Sequence, residues 1–344
     1  MEVVKVYTEQ EVRNYVRHRS GEEKIGESVQ CFKKDWKKDL PLITARFVLL
    51  GIAEDIGVRA NYGRPGANTA LKPSFDSFLN QQSNVFLDSS DIAVLGEVYV
   101  DDLMVSASAL DIKNKADIAK LRDLVSLLDE RVSEVIEVII ASGKIPLIVG
   151  GGHNNSFGNI KGASKALSRK INVINCDPHL DFRPMEGRHS GNGFSYAYEQ
   201  GYLGKYAVVG MHEQYNNKNS IEVFKSAQHR LFYNTYESVF VREDIEFKNA
   251  ISQCVGFVKD EACGIEIDLD AITNVPSSAK TSSGISPVEA RQFIHASAAN
   301  LNAVYLHIAE GAPVLSHIKA DNKTGKLIAY LLTDFIKACS IHKQ

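Results

Sequence analysis

The chain is short of cysteine, and what it has is poorly placed for cross-linking. Cys31, Cys176, Cys254, Cys263 and Cys339 are an odd set of five in 344 residues, with no CxxC spacing. That pattern fits reduced thiols in a reducing compartment rather than a disulfide framework. Cys176 and Cys263 fall inside apolar runs, where a free thiol serves as a small core residue. Basic blocks and arginine-rich arms are also lacking, and the net charge of −3 is spread over both signs. Nucleic acid is therefore not an expected partner. The start, MEVVKVYTEQEV, has no basic leader ahead of an apolar core, and no apolar run approaches a membrane span. A soluble, cytoplasmic protein with no membrane partner is expected. Repeats, low-complexity tracts and Pro-, Gly- or Ser-rich linkers are missing too, so 1–344 reads as one domain, with 1–40 as a helical extension packed on it. A hydrophobic fraction of 44% is enough for a full core.

What the sequence does have is alternation of apolar strands with amphipathic helices. ARFVLLGIA reads as a buried strand followed by the loop EDIGVRANYGRPGAN, and DIAVLGEV as another strand. From Ala116 to Ser142, Leu121, Leu124, Leu128, Val132, Val135 and Ile139 recur at three- and four-residue spacing, which predicts a long helix ending at Gly143 and Pro146. Strand IPLIVGG, helix FGNIKGASKAL and strands INVINCD and KYAVVGM follow. Strand CGIEIDLD, helix SPVEARQFIHASAAN, strand AVYLHIAE and helix KLIAYLLTDFIKACS complete the chain. Strands that are apolar throughout, separated by helices, predict a three-layer α/β/α fold with a mostly parallel central sheet covered on both faces. A ligand site is then expected beyond the carboxyl ends of the strands.

Those ends carry acid and imidazole groups. IPLIV runs into GGGH with His153, and INVINC into DPHLD with Asp177, His179 and Asp181. CGIEI runs into DLD with Asp268 and Asp270, and AVYLHI into Ala309 and Glu310. Alternate residues of an extended chain point the same way, so Asp177, His179 and Asp181 share a direction, as do Asp268 and Asp270. Two imidazoles and four carboxylates without a thiolate suit Mn²⁺, and less readily Zn²⁺, Co²⁺ or Mg²⁺. The four carboxylates match the charge of two divalent ions; without metal they would repel and raise one another's pKa.

The set GGxH, DxHxD and DxD resembles that of the arginase–agmatinase–formimidoylglutamase family, over nearly the whole chain. The resemblance implies an arginase-like fold and two Mn²⁺ per chain. His153, Asp177, Asp181 and Asp268 would bind one ion; His179, Asp270 and shared Asp177, Asp181 or Asp268 would bind the other. It also makes a homo-oligomer possible. GGGH in place of GGDH, the Phe157-Gly158 pair, and Phe194 where arginases place a proton-shuttling histidine are closer to formimidoylglutamases. The implied reaction is hydrolysis of a linear amidine, N-formimidoyl-L-glutamate first, to glutamate and formamide in histidine degradation. Alternatives are an arginase, agmatinase or other guanidino-compound hydrolase, a single-zinc deacylase of related fold, or a catalytically silent relative used for binding or assembly. Glu310 would pair with the planar amidinium and Asp181 would relay a proton to the leaving nitrogen. Arg64, Arg183, Arg188, His189 and Asn192 would hold the substrate carboxylates. Replacement of Phe194 by histidine is expected to be harmless.

Overall fold

A computed structural model of the protein describes residues 3–33, 35–316 and 322–340. Among the described residues ten strands form one sheet: β1 (Val4–Val6), β2 (Gln30–Cys31), β3 (Phe47–Gly51), β4 (Ile92–Val98), β5 (Ile145–Val149), β6 (Ile171–Cys176), β7 (Leu203–Met211), β8 (Leu231–Thr235), β9 (Cys263–Asp268) and β10 (Ala303–Ala309). Their order is β1-β4-β3-β5-β10-β9-β6-β7-β8, with β2 also on β4. All pairings are parallel except that of β1 with β4. The strands β3, β6 and β9 are buried along their whole length, including the polar Asn172, Asn175 and Glu266 within them.

Two hydrophobic cores cover the two faces. One joins the sheet to the helices Leu71–Phe78, Phe247–Val258, Pro287–Asn300 and Lys323–Ser340. The other joins it to Lys115–Ala141, Asn155–Leu167, Gly193–Glu199 and Lys218–Ser226. This is the expected three-layer α/β/α arrangement. Within it, helix Asn155–Leu167 lies hard against Lys115–Ala141. A Cβ on Gly158 would stand 2.8 Å from Val132, and one on Gly162 would stand 2.6 Å from the Ser133 carbonyl. The two glycines thus let the helix that follows the GGGH turn dock closely.

Two expectations need correction, and one unassigned segment is filled. Residues 1–40 are not only helical, because β1 and β2 extend the sheet beyond β4; three- and two-residue strands leave too little periodicity to read. The stretch EDIGVRANYGRPGAN is not all loop, since Ile56–Ala60 is a helical turn. Glu54 accepts hydrogen bonds from the Ile56 and Gly57 amides at its start. The segment from Leu231 to Val258, which had no assignment, holds β8 and a helix. No helix among the described residues is long and apolar enough to cross a membrane.

Candidate metal centre

Strand order decides where the site lies. The strands β5, β10, β9 and β6 are consecutive neighbours in the middle of the sheet. They deliver His153, Glu310, Asp268 with Asp270, and Asp177 to Asp181 to one rim. Gly150 and Gly151 turn the chain out of β5 with φ of 87° and 74°, values that favour glycine. Gly152 is needed for room instead: a Cβ there would meet Asn154 Oδ1 at 2.4 Å and Val58 at 2.8 Å. Two non-glycine residues at the rim, Asp181 (φ 45°) and Glu310 (φ 65°), also hold left-handed backbone conformations. Such local strain persists only where the surroundings over-determine it.

Three groups of side chains among the described residues are close enough to hold a metal ion. They are His153 with Asp177, Asp181 and Asp268; His179 with Asp268 and Asp270; and His153 with Glu266 and His307. The first two bring together the six residues that the sequence singled out, with Asp268 common to both groups. His153 Nδ1 is surrounded by carboxylate oxygens of Asp177 at 3.0 Å, Asp181 at 3.1 Å and Asp268 at 3.3 Å. Yet it is buried without a hydrogen-bond partner among the described residues. A buried imidazole nitrogen facing three acids is a donor set that a divalent cation fits.

The electrostatics agree. Burial and neighbouring carboxylates raise Asp181 and Asp268, burial raises Asp270, and burial with the Asp270 charge pushes Glu310 up to about 8. Asp177 is lowered instead: burial opposes this, but the imidazoles of His153 and His179 outweigh it. Burial likewise works against protonation of His179, yet Asp177 lifts it to about 10. A cation would replace these protons. The sign follows from linkage. Acids with raised folded pKa values stabilise the apoprotein at low pH and lose that contribution as pH rises towards the folded pKa. For Glu310 the window runs from 4.5 to about 8. The thermal shift on adding Mn²⁺ should therefore grow between pH 6 and pH 8; a shift independent of pH would count against proton displacement.

His179, Asp181, Asp268, Asp270 and Glu310 line one cavity of about 630 Å³, together with Asn61, Arg183, Glu186, Tyr215, Asn216 and Ser278 among others. Of Glu310's two oxygens, Oε1 accepts from the His153 amide at 2.8 Å, while Oε2 is buried without a partner among the described residues. Arg183 lines the cavity with its side chain 48% exposed, and reaches Asn61 at 3.3 Å and Glu186 at 3.4 Å. Arg64 is exposed and spends its Nε on the carbonyl of Ser278, a lining residue.

The other three loop residues are elsewhere. Arg188 is buried and takes Asp129 at 2.8 Å, the Asn154 carbonyl at 2.8 Å and the Asn192 side chain. Its guanidinium lies 5.0 Å from Phe157 and 4.9 Å from Tyr196. Asn192 bonds Arg188, the His189 amide and the Gly187 carbonyl. His189 is buried with Nδ1 accepting from Gly191, and burial plus nearby arginines push it down to about 3. These three brace the loop rather than face the cavity, which corrects their expected role. An arginine in a loop carries no sequence mark of which way it points.

Phe194 is also corrected. It is fully buried, stacked on Tyr206 at 4.2 Å and edge-on to His153 at 5.3 Å. Phe194→His would bury an imidazole with no designed partner, at a cost of about 1–3 kcal/mol, and should lower the melting temperature of metal-loaded protein by several degrees. Unchanged melting would show that the pocket accepts a polar ring.

Sequence reasoning overlooked several residues. Glu54, fully buried, accepts from the Gly152 amide at 2.9 Å and from Asn155 at 2.6 Å, and so holds the GGGH turn. Asn216 clamps the DPHLD turn, accepting from the Leu180 amide at 2.8 Å and donating to the Pro178 carbonyl at 3.0 Å. Acids and amides flanking apolar strands were the available signal.

A profile of the arginase family matches residues 45–337. The chain belongs to the arginase family. Within it, the formimidoylglutamase of Macrococcus caseolyticus is 27% identical over 300 residues, covering 84% of this chain and 85% of that protein. The formimidoylglutamase of Corynebacterium efficiens is 26% identical over 296 residues, covering 85% and 84%. Among solved structures, an N114H variant of Trypanosoma cruzi formiminoglutamase with Mn²⁺ superposes with a TM-score of 0.72 at 18% identity, covering 94% of this chain and 99% of that one. Formimidoylglutamase from Bacillus subtilis gives 0.74 at 15%, covering 94% of each. The fold of these structures is the arginase-like α/β fold seen here.

Proposed function

We propose that this chain hydrolyses N-formimidoyl-L-glutamate to formamide and glutamate, with two Mn²⁺ held by His153, Asp177, His179, Asp181, Asp268 and Asp270. The observation that carries the reading is one cavity in which Asp181 and Asp268 of the first ligand group meet His179 and Asp270 of the second beside Glu310, supported by formimidoylglutamase relatives along most of the chain. When bound, a pair of divalent ions supplies Lewis acidity and makes water a nucleophile at neutral pH. The chain's own residues do the rest. Glu310 Oε2 faces the amidinium, a planar cation with parallel N–H donors that an ionised carboxylate pairs well. Arg183 and Asn61 on the cavity wall, with Arg64 at its mouth, offer donors to the carboxylates of the glutamate portion. Asp181, between the His153 group and the open cavity, carries a proton to the leaving amine. Water adds to the amidine carbon, the bond from that carbon to the glutamate nitrogen breaks, and the released amine takes the proton.

Phe194 supports an amidine over a guanidine reading, because phenylalanine transfers no proton at the position where arginases have a histidine. The test is a parallel assay of manganese-loaded protein with N-formimidoyl-L-glutamate, arginine, agmatine and guanidinobutyrate. Turnover of the first, well above the others, is the expected result; preference for any guanidino compound would replace this reading. A cytoplasmic place in histidine breakdown is part of the same proposal.

A further inference from the structure

Below the candidate metal centre lies a fully buried polar cluster that the reaction as described does not use. Glu266 sits in β9 two residues before Asp268, on the same face, and His307 in β10 is its direct register partner. Tyr305 lies two residues before His307. All three are 0% exposed. A Cβ on Gly264 would stand 2.2 Å from the Tyr305 ring, so the glycine makes the space that ring fills. Tyr305 Oη donates to Glu266 Oε1 at 2.7 Å, and His307 Nδ1 meets Oε2 at 2.8 Å. His153 Nε2 meets the same Oε2 at 3.2 Å, and His307 Nε2 reaches the Gly150 carbonyl at 3.3 Å. The contacts tie β5, β10 and β9 together beneath the turn that presents His153.

An ionised carboxylate only accepts, so it selects the His153 tautomer with hydrogen on Nε2 and leaves the Nδ1 lone pair towards Asp177, Asp181 and Asp268. We propose that Glu266 is a positioning residue for the His153-side metal ion, fixing ring angle and tautomer, with His307 and Tyr305 fixing Glu266 in turn. A histidine ligand backed by a carboxylate is a recurrent metal-site device, and its loss costs about 10–100-fold in affinity. The inference rests on the two-ion reading above.

E266Q keeps the volume and an acceptor for Tyr305 but presents an amide group that can donate against the His153 and His307 donors. Manganese titration of E266Q, with metal content and the spin-coupled Mn²⁺ signal as readouts, should show one ion weakened by about 10–100-fold while the His179-side ion is retained. The stabilisation on adding Mn²⁺ should shrink, whatever the loss of a buried acceptor costs the metal-free variant in melting temperature. A purely structural role would lower the metal-free melting point but leave affinity unchanged. Should E266Q fail to fold, Y305F decides, since it removes one donor and keeps the carboxylate; weaker binding on the His153 side is then expected. Wild-type affinity for both ions in E266Q, or in Y305F when that variant decides, overturns the proposal. So does a wild-type stoichiometry of three, with the third ion lost in E266Q, because Glu266, His307 and His153 would then be ligands themselves. A wild type that binds no ion on the His153 side overturns the two-ion reading along with it.

Discussion

Replacing Glu310 with glutamine should lower turnover of N-formimidoyl-L-glutamate by about 30- to 5,000-fold while metal content stays at the wild-type level. The range follows from a loss of about 2–5 kcal/mol when one partner of a desolvated charge pair is neutralised, at a factor of ten per 1.36 kcal/mol. Glutamine is the informative change because Glu310 has two separate tasks. Its Oε1 accepts from the His153 amide at 2.8 Å, a bond that a glutamine oxygen can keep. Its Oε2 is the buried oxygen without a partner among the described residues, and the residue lines the cavity. Burial and Asp270 hold Glu310 protonated up to about 8; cations beside Asp270 remove that repulsion and favour the ionised form. Steady-state kinetics with elemental analysis on the same sample provide the check. Normal amidine turnover in the variant would leave Glu310 as a structural support for the His153 turn.

Asp268→Asn should remove both ions rather than one, because Asp268 belongs to the His153 group and to the His179 group. Loss of a supporting outer residue at a metal site costs about 10–100-fold, so loss of a shared ligand should exceed about 1,000-fold in activity. Stability should move the opposite way in the metal-free protein. Burial with Asp270 and Asp177 raises the Asp268 pKa well above its usual range, which marks a carboxylate that destabilises the apo fold at neutral pH. Asparagine removes that charge, keeps an oxygen for the Asp270 amide, now 2.6 Å from Asp268 Oδ1, and can donate to His153 Nδ1. The metal-free variant should therefore melt at or above the metal-free wild type, while manganese should stabilise it far less. A variant that melts lower without metal, or retains one tightly bound ion, would show that Asp268 is structural or serves one ion only. Gain in apo stability with loss of function is the expected signature of a site that stores repulsion for a ligand.

The metal-ligand candidates were legible because each follows a mainly apolar run, and a strand that leaves a buried sheet places its next residues on the rim. Period-two spacing in DPHLD and DLD set their common direction. Glu310 was legible for the same reason. The long helix Lys115–Ala141 differed from its sequence boundaries by a single residue at each end, since heptad-like spacing and the following Gly143 are local signals. Short edge strands and the turn at Ile56–Ala60 were not legible, because their stability comes from the neighbours they pair with rather than from their own periodicity.

By itself, then, the sequence determined the layered α/β fold, the metal-capable residues and the family. Only the tertiary structure decided that β5, β10, β9 and β6 are neighbours, which brings Glu310, 157 positions on, to 2.8 Å from the His153 amide and Asp268 to 3.3 Å from His153 Nδ1. Only it turned Arg188, His189 and Asn192 into a brace against Asp129, left Arg183 on the cavity wall, and stacked Phe194 on Tyr206. Only it placed Glu266 behind His153. The physical reason is common to all of these. Which strand exits share a rim can be read from local pattern, but side-chain direction within a loop and the partners of a buried polar group depend on contacts between segments far apart in the chain.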